Sequence, residues 1–236
     1  MYFVKKINTN KEMKIVALLP MKGNSERVPN KNLKDFSGKP LYYRVMETLL
    51  SSSYINYVVV NTDSEAIKSD ISKNFDDRVI VIDRPEEIIG DFVSMNTVID
   101  CDINSVDADI YLQTHSTNPL LKKKSVDEAI EKMIALLPQK VYDSIFSVTK
   151  MQTRLYKSDG TAFNHNPEEL LRTQDLEPLF EENSNFYIFT KESFSNSGKK
   201  RIGLKPFMFE IDKIEAVDID EPQDFVIAES LYKLLS

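Results

Sequence analysis

Apolar positions along this chain alternate between two spacings. Short apolar-rich runs at residues 15–19, 57–60, 79–82, 109–113 and 144–149 have the length and composition of strands buried on both faces. Between them the spacing becomes helical. Leu41, Val45, Met46, Leu49 and Leu50 share one helical face behind Pro40. Val126, Ala129, Ile130, Met133, Ile134 and Leu137 share another, opened by Ser125 and ended by Pro138. Residues 65–74 supply a further helix, entered through Asn61-Thr-Asp-Ser64, and residues 91–94 open one that runs to Ile103. After Lys150 the alternation stops. Residues 151–180 are polar and weakly periodic, with a hairpin signal at Asp159-Gly160. Strands resume at 185–190 and 206–211, and a helix over 222–235 closes the chain.

Strands alternating with helices predict an α/β fold: a Rossmann-like, mostly parallel sheet flanked by helices. The 236 residues suffice for one domain over 14–236, burying roughly 70–75% of its unfolded surface. A short N-terminal extension at 1–13 precedes it, and residues 150–182 stand out as a small lobe. A net charge of −7 speaks against a nucleic-acid partner. No apolar run approaches the ~18 residues of a membrane span. The first dozen residues lack the apolar stretch of a signal peptide. The single cysteine, Cys101, excludes an internal disulfide and fits a reducing cytoplasm. It falls on a predicted helix and reads as a small packed hydrophobe. One cysteine and two histidines offer no zinc-ligand spacing.

Charge changes the picture most at the end of the first strand. There the segment Lys22-Gly-Asn-Ser-Glu-Arg-Val-Pro-Asn-Lys-Asn32 follows an apolar run, and carboxyl ends of strands are where open α/β sheets bind ligands. From Lys22 to Lys39 five cations (Lys22, Arg27, Lys31, Lys34, Lys39) face two anions (Glu26, Asp35). A cationic, Gly- and Ser-bearing loop offers a polyphosphate both backbone donors and point charges. Ordinary turn chemistry would also account for Pro29, Asn30 and Asn32. The loop matches neither G-x-x-x-x-G-K-[ST] nor G-x-G-x-x-G, so any phosphate is held by another pattern.

A second constellation lies near the other end. Asp218 and Asp220 are two apart at a strand-like terminus, so an extended backbone points both carboxylates the same way. Such a pair suits Mg²⁺, which takes one or two carboxylates and completes its octahedron with phosphate oxygens. Asp220 alternatively serves as the N-cap of the last helix, with Pro222 in its first turn and Gln223 behind it. Together, the cationic loop and the paired carboxylates describe nucleotidyl transfer.

With both constellations in view, the chain resembles the acylneuraminate cytidylyltransferases, the CMP-sialic acid synthetases and their relatives for other nine-carbon sugar acids. The resemblance rests on residues 19–33 and Ser37-Gly-Lys-Pro40, Thr62-Asp63, and Arg84-Pro-Glu-Glu with Asp91 and Ser94. It continues through Leu112-Gln113, Asn118-Pro-Leu120, Arg172-Thr-Gln-Asp175, Asn183 before Tyr187-Ile188, and Val217-Asp-Ile-Asp-Glu-Pro222. It implies a nucleotidyltransferase-type sheet and a reaction in which CTP and a sugar acid give a CMP-sugar and pyrophosphate with Mg²⁺, for surface polysaccharide or lipopolysaccharide. It also implies a homodimer in which the lobe after Lys150 reaches the partner. By the same resemblance Lys31, with Lys22 and Arg27, grips the triphosphate. Gly23, Ser25, Asn32, Arg84 and Ser94 lie against the nucleotide; Gln113, Arg172 and Asn183 meet the acceptor; Asp218 and Asp220 hold the metal.

Three departures stand out. Lys22 replaces a usual arginine and loses its fork. Glu26 replaces a usual lysine. Thr114-His-Ser-Thr-Asn-Pro119 replaces Pro-Thr-Ser-Pro in a segment that the resemblance sets near the acceptor, where His115 either touches the substrate or is a polar loop residue. A nucleotidyltransferase for another sugar or base, or a CTP-binding relative without turnover, is the alternative these departures leave open.

Overall fold

The structure, a computed structural model, describes residues 13–169 and 171–235. Of the extension expected at 1–13, and of the leader reading made there, all but Met13 lies outside the described residues. The strands are β1 (Ile15–Leu18), β2 (Asp35–Phe36), β3 (Lys39–Pro40), β4 (Tyr57–Thr62), β5 (Val79–Asp83), β6 (Ile110–Thr114), β7 (Ser144–Met151), β8 (Leu179–Phe189) and β9 (Pro206–Glu210). The helices are α1 (Tyr42–Ser51), α2 (Glu65–Asn74), α3 (Met95–Ser105), α4 (Lys123–Leu136), α5 (Lys191–Asn196) and α6 (Pro222–Leu235).

Among the described residues seven strands form one sheet in the order β5-β4-β1-β6-β8-β7-β9. All neighbours run parallel except β8, which is antiparallel to both β6 and β7. Every residue of β1 and β6 is buried, as a strand covered on both faces requires. Ile15 and Ala17 pack with α1, α2 and α4 on one face, whereas Val16 and Leu18 pack with α3 and α5 on the other. The chain leaves β1 toward β4 and β5, then returns to the opposite side of β1 as β6. That reversal makes the carboxyl ends of β1 and β6 the switch point where such sheets bind ligands. The loops at 19–33 and 115–121 both start there.

The fold class is as expected, and the differences are at element edges. β4 continues through Asn61 and Thr62, so these belong to the strand, and only Ser64 caps α2 by accepting from Ile67 N. α4 starts at Lys123, which places Ser125 inside the helix rather than at its cap. β8 begins at Leu179, because residues 179–182 pair with 148–151 of β7 in a long antiparallel ribbon. Its outer half is exposed and polar, and carries little apolar signal. The Asp159-Gly160 turn forms, with Gly160 at φ 83° and Gly160 N donating to Lys157 O at 3.0 Å.

Two elements have no counterpart in the hydrophobic pattern. The β2–β3 hairpin turns on Ser37 and Gly38, at φ 54° and 85°, the positive-φ pair of a tight hairpin. It holds α6: Phe36 meets Phe225 edge-on with ring centroids 5.5 Å apart, and Ser37 N donates to Glu229 at 2.8 Å. α5 is a single short helix closed by a Thr190/Ser193 capping box. No helix among the described residues is long and apolar enough to cross a membrane.

Candidate active site

Docking α6 against the β2–β3 hairpin brings the loop after β1 and the segment before α6 together. The loop after β1 closes with a 3₁₀ turn at Lys31–Leu33, entered through Asn30 in the left-handed region at φ 53°. Lys31 is 8% exposed, and its Nζ donates to the carbonyl of Ile219 at 2.5 Å. Ile219 lies between Asp218 and Asp220, and Lys31 Nζ stands 3.8 Å from the Asp220 carboxylate. Arg27 forks across two acids, donating to Asp220 at 2.9 Å and to Glu221 at 3.0 Å. These carboxylates raise its pKa further, Glu221 most.

The Asp220 side chain is therefore turned to the cations and does not cap α6. Glu221 precedes the helix, and the Asp224 carboxylate accepts from Glu221 N at 2.7 Å and Asp220 N at 3.1 Å. The capping alternative is corrected: Glu221 stands at the helix boundary, its carbonyl accepting from Asp224 N and Phe225 N, and Asp224 reaches back from the first turn to the Glu221 N–H. Asp218 is set in a recess, and loss of hydration there raises its pKa. A hydrogen bond from Thr117 opposes that shift most, repulsion from Asp220 adds to it, and Lys31 offsets it.

Lys22, Ser25, Glu26, Arg27, Lys31 and Asp91 border one cavity of ≈ 260 Å³. Lys22, Glu26 and Asp91 also border its neighbour, together with Asp63 and Arg84. Lys22 Nζ donates to Asp91 at 3.0 Å. Gly23 N donates to Asp63 at 2.7 Å, and a β-carbon on Gly23 would stand 2.9 Å from Ser64 Cβ, so this close approach requires glycine. Asn32 holds the loop: its Nδ2 donates to Lys22 O at 2.9 Å and its Oδ1 accepts from Ser116 at 2.6 Å. Arg84 is buried, donating to Asn61 Oδ1 and O, both at 2.8 Å, and burial lowers its pKa. Ser94 instead caps α3, accepting from Asn96 N at 3.2 Å.

The three expected acceptor residues have different fates. Asn183 and Asp218 share a cleft of ≈ 450 Å³ with Glu182 and Ser184. There Asn183 is braced by Ser147 at 2.6 Å and Thr149 at 2.8 Å. Gln113 is fully buried, with Oε1 accepting from Arg201 and Nε2 donating to Thr114 O, both at 2.8 Å. Arg172 is exposed and forks onto Asp175 at 2.7 and 3.0 Å. No described contact joins it to the loop after β1. Arg201 stands in no motif that the sequence singles out; the fold lays its partly buried guanidinium over Tyr187, 3.7 Å from the ring centroid. Cys101 lies on α3 as expected, and burial pushes its thiol pKa up.

Two carboxylates give a hard, oxygen-only donor set, which fits Mg²⁺ completed by phosphate oxygens and water. Among the described residues no group of three or more His, Cys, Asp and Glu could hold a metal ion without such help.

Comparison with known proteins gives a consistent result. A family model described as Cytidylyltransferase matches residues 16–234. A pseudaminic acid cytidylyltransferase of Campylobacter jejuni is 27% identical, covering 94% of this chain and 97% of its own. A CMP-N,N'-diacetyllegionaminic acid synthase of Legionella pneumophila is 29% identical over the same shares. An N-acylneuraminate cytidylyltransferase of Danio rerio is 30% identical over 93% of this chain, which spans 51% of that protein. Among solved structures, a CMP:2-keto-3-deoxy-manno-octonic acid synthetase complexed with CTP superposes with a TM-score of 0.68 at 15% identity, covering 94% of this chain and 100% of its own. That likeness concerns the fold.

Proposed function

The chain belongs to the cytidylyltransferase family, and on that premise we propose that it transfers CMP from CTP to a nonulosonic, sialic-acid-like sugar acid. The observation that carries the proposal is the Lys31 ammonium, which bonds the carbonyl between Asp218 and Asp220 from 188 residues away. It joins the cationic loop after β1 to the paired-carboxylate site. The curated relatives support the acceptor class, since their names specify pseudaminic, legionaminic and neuraminic acids.

In this reading Lys22, Arg27 and Lys31 neutralise the triphosphate, while Gly23, Ser25, Asn32 and Arg84 frame the nucleotide and Ser94 contributes only by capping α3. The acceptor enters the cleft bordered by Asn183. An acceptor hydroxyl oxygen attacks the α-phosphorus and gives up its proton to solvent, the bond to the bridging oxygen of the β-phosphate breaks, and pyrophosphate departs with that oxygen. Asp218 and Asp220 would hold Mg²⁺, which when bound supplies charge compensation and polarisation at a phosphoryl oxygen. Arg27 and Lys31 pair with the Asp220 carboxylate, so the acid that would hold the metal is already tied to the cations of the first loop. Gln113, fully buried, acts on the site through Arg201, which it holds at 2.8 Å. Residues 150–182 provide a homodimer contact that carries Arg172 toward the partner, and the exposed Tyr156, Phe163 and Leu171 suit that role. The product serves surface polysaccharide or lipopolysaccharide synthesis.

Pyrophosphate release tests the proposal. It should require CTP, Mg²⁺ and a nonulosonic acid together, and release with CTP alone at the same rate would refute acceptor transfer.

A further inference from the structure

One side chain stands between the two halves of this site without a role in the reaction above. His115 directly follows β6. Its neighbour Ser116 donates to Asn32 of the loop after β1 at 2.6 Å. On the other side Arg201 Nη1 lies 3.3 Å from His115 Nε2, and Arg201 Nη2 donates to the Tyr187 hydroxyl at 3.0 Å. That hydroxyl donates to Glu182 and stands 3.0 Å from Ser184 Oγ, and both residues border the cleft shared by Asn183 and Asp218. His115 is thus joined to the nucleotide loop on one side and the acceptor cleft on the other.

Hydrogen-bond polarity fixes its tautomer. A guanidinium carries donors only. Gln113 Oε1 accepts from Arg201, so Gln113 Nε2 is the donating end, and it lies 3.3 Å from His115 Nε2. His115 Nε2 therefore meets two N–H groups and must offer its lone pair, which leaves the ring proton on Nδ1. No described residue accepts that proton, and the side chain is partly exposed. Burial, and then the Arg201 charge, push the His115 pKa down to about 4. Tyr187 and, beyond it, Glu182 are the other titratable groups of this cluster.

We propose that His115 determines acceptor specificity, presenting a neutral Nδ1–H donor to an oxygen of the sugar acid as that sugar approaches the nucleotide. The proposal rests on the cytidylyltransferase reading of the site. It also gives a use to the segment from Thr114 to Pro119, where this chain departs from the Pro-Thr-Ser-Pro pattern.

Two measurements test it. The chain has two histidines, so a His165→Gln variant leaves His115 as the sole imidazole for nitrogen-15 NMR. Nδ1 should carry the proton and Nε2 should be bare from about pH 6 to about pH 8. A proton on Nε2 overturns the proposal. In kinetics, His115→Leu should raise the acceptor KM about tenfold with the CTP KM unchanged, and His115→Asn, which keeps a donor near the same place, should restore most of it. Equal effects of both variants, or a rise in the CTP KM alone, overturn it. Wild-type protein that turns over no acceptor would sink the cytidylyltransferase reading and this proposal together. Normal turnover with the Nε2–H tautomer would sink this proposal alone.

Discussion

Asp102 shows how the site is supported from below. It is fully buried on α3, with Oδ1 accepting from Asn61 Nδ2 at 2.7 Å and Oδ2 without a partner among the described residues. The same Asn61 holds Arg84 at the nucleotide cavity. Burial pushes the Asp102 pKa up to about 7, against the pull of Asn61 and Arg84. In the unfolded chain it ionises near ~3.9. Between those values the unfolded state has released the proton that the native state keeps. Stability should therefore fall as pH rises from about 4 to about 7, then level off. Asp102→Asn keeps the Asn61 bond and removes the buried charge. Urea denaturation at about pH 8 should find it more stable than wild type by on the order of 4 kcal/mol, with the gap closing near pH 4. A wild-type stability that rises over this interval would contradict the assignment. For Lys31 the expected outcome is kinetic: Lys31→Met should lower kcat/KM about a hundredfold or more while the protein still folds.

At the scale of elements, α6 delivers the carboxylates. From its first turn the Asp224 carboxylate reaches back to the N–H groups of Glu221 and Asp220, which ties the Asp220 backbone to the helix, while Phe225 and Glu229 fasten it to the β2–β3 hairpin. Asp224→Ala should cost about 1 kcal/mol of stability in a denaturant melt. It should also reduce turnover by more than that loss explains, because Asp220 loses its anchor; unchanged turnover would separate the cap from the site. Much of this was legible before the fold was known. β1, α1 and α6 have strong periods, and the cations of the first loop cluster within a few residues. The start of β8 was hidden because Glu181 and Glu182 face solvent, and α5 is too short to show a period. Arg201 was hidden for another reason. Its burial against Tyr187 exists only once β8 and the segment after α5 close on each other.

For the whole molecule, the proposed homodimer should appear in light scattering at twice the chain mass of 27.2 kDa. Replacing Tyr156 and Phe163 by serine should shift it toward monomer; a wild-type monomer at working concentrations would contradict the dimer. Nucleotide choice is also a property of the assembled switch point, so CTP should raise the melting temperature more than UTP, GTP or ATP. The most direct test is product identity. The full chain, incubated with CTP, Mg²⁺ and in turn neuraminic, pseudaminic and legionaminic acids, should yield by mass spectrometry the CMP ester of at least one, with an equal amount of pyrophosphate. CTP binding without a CMP ester of any of them would contradict the assignment.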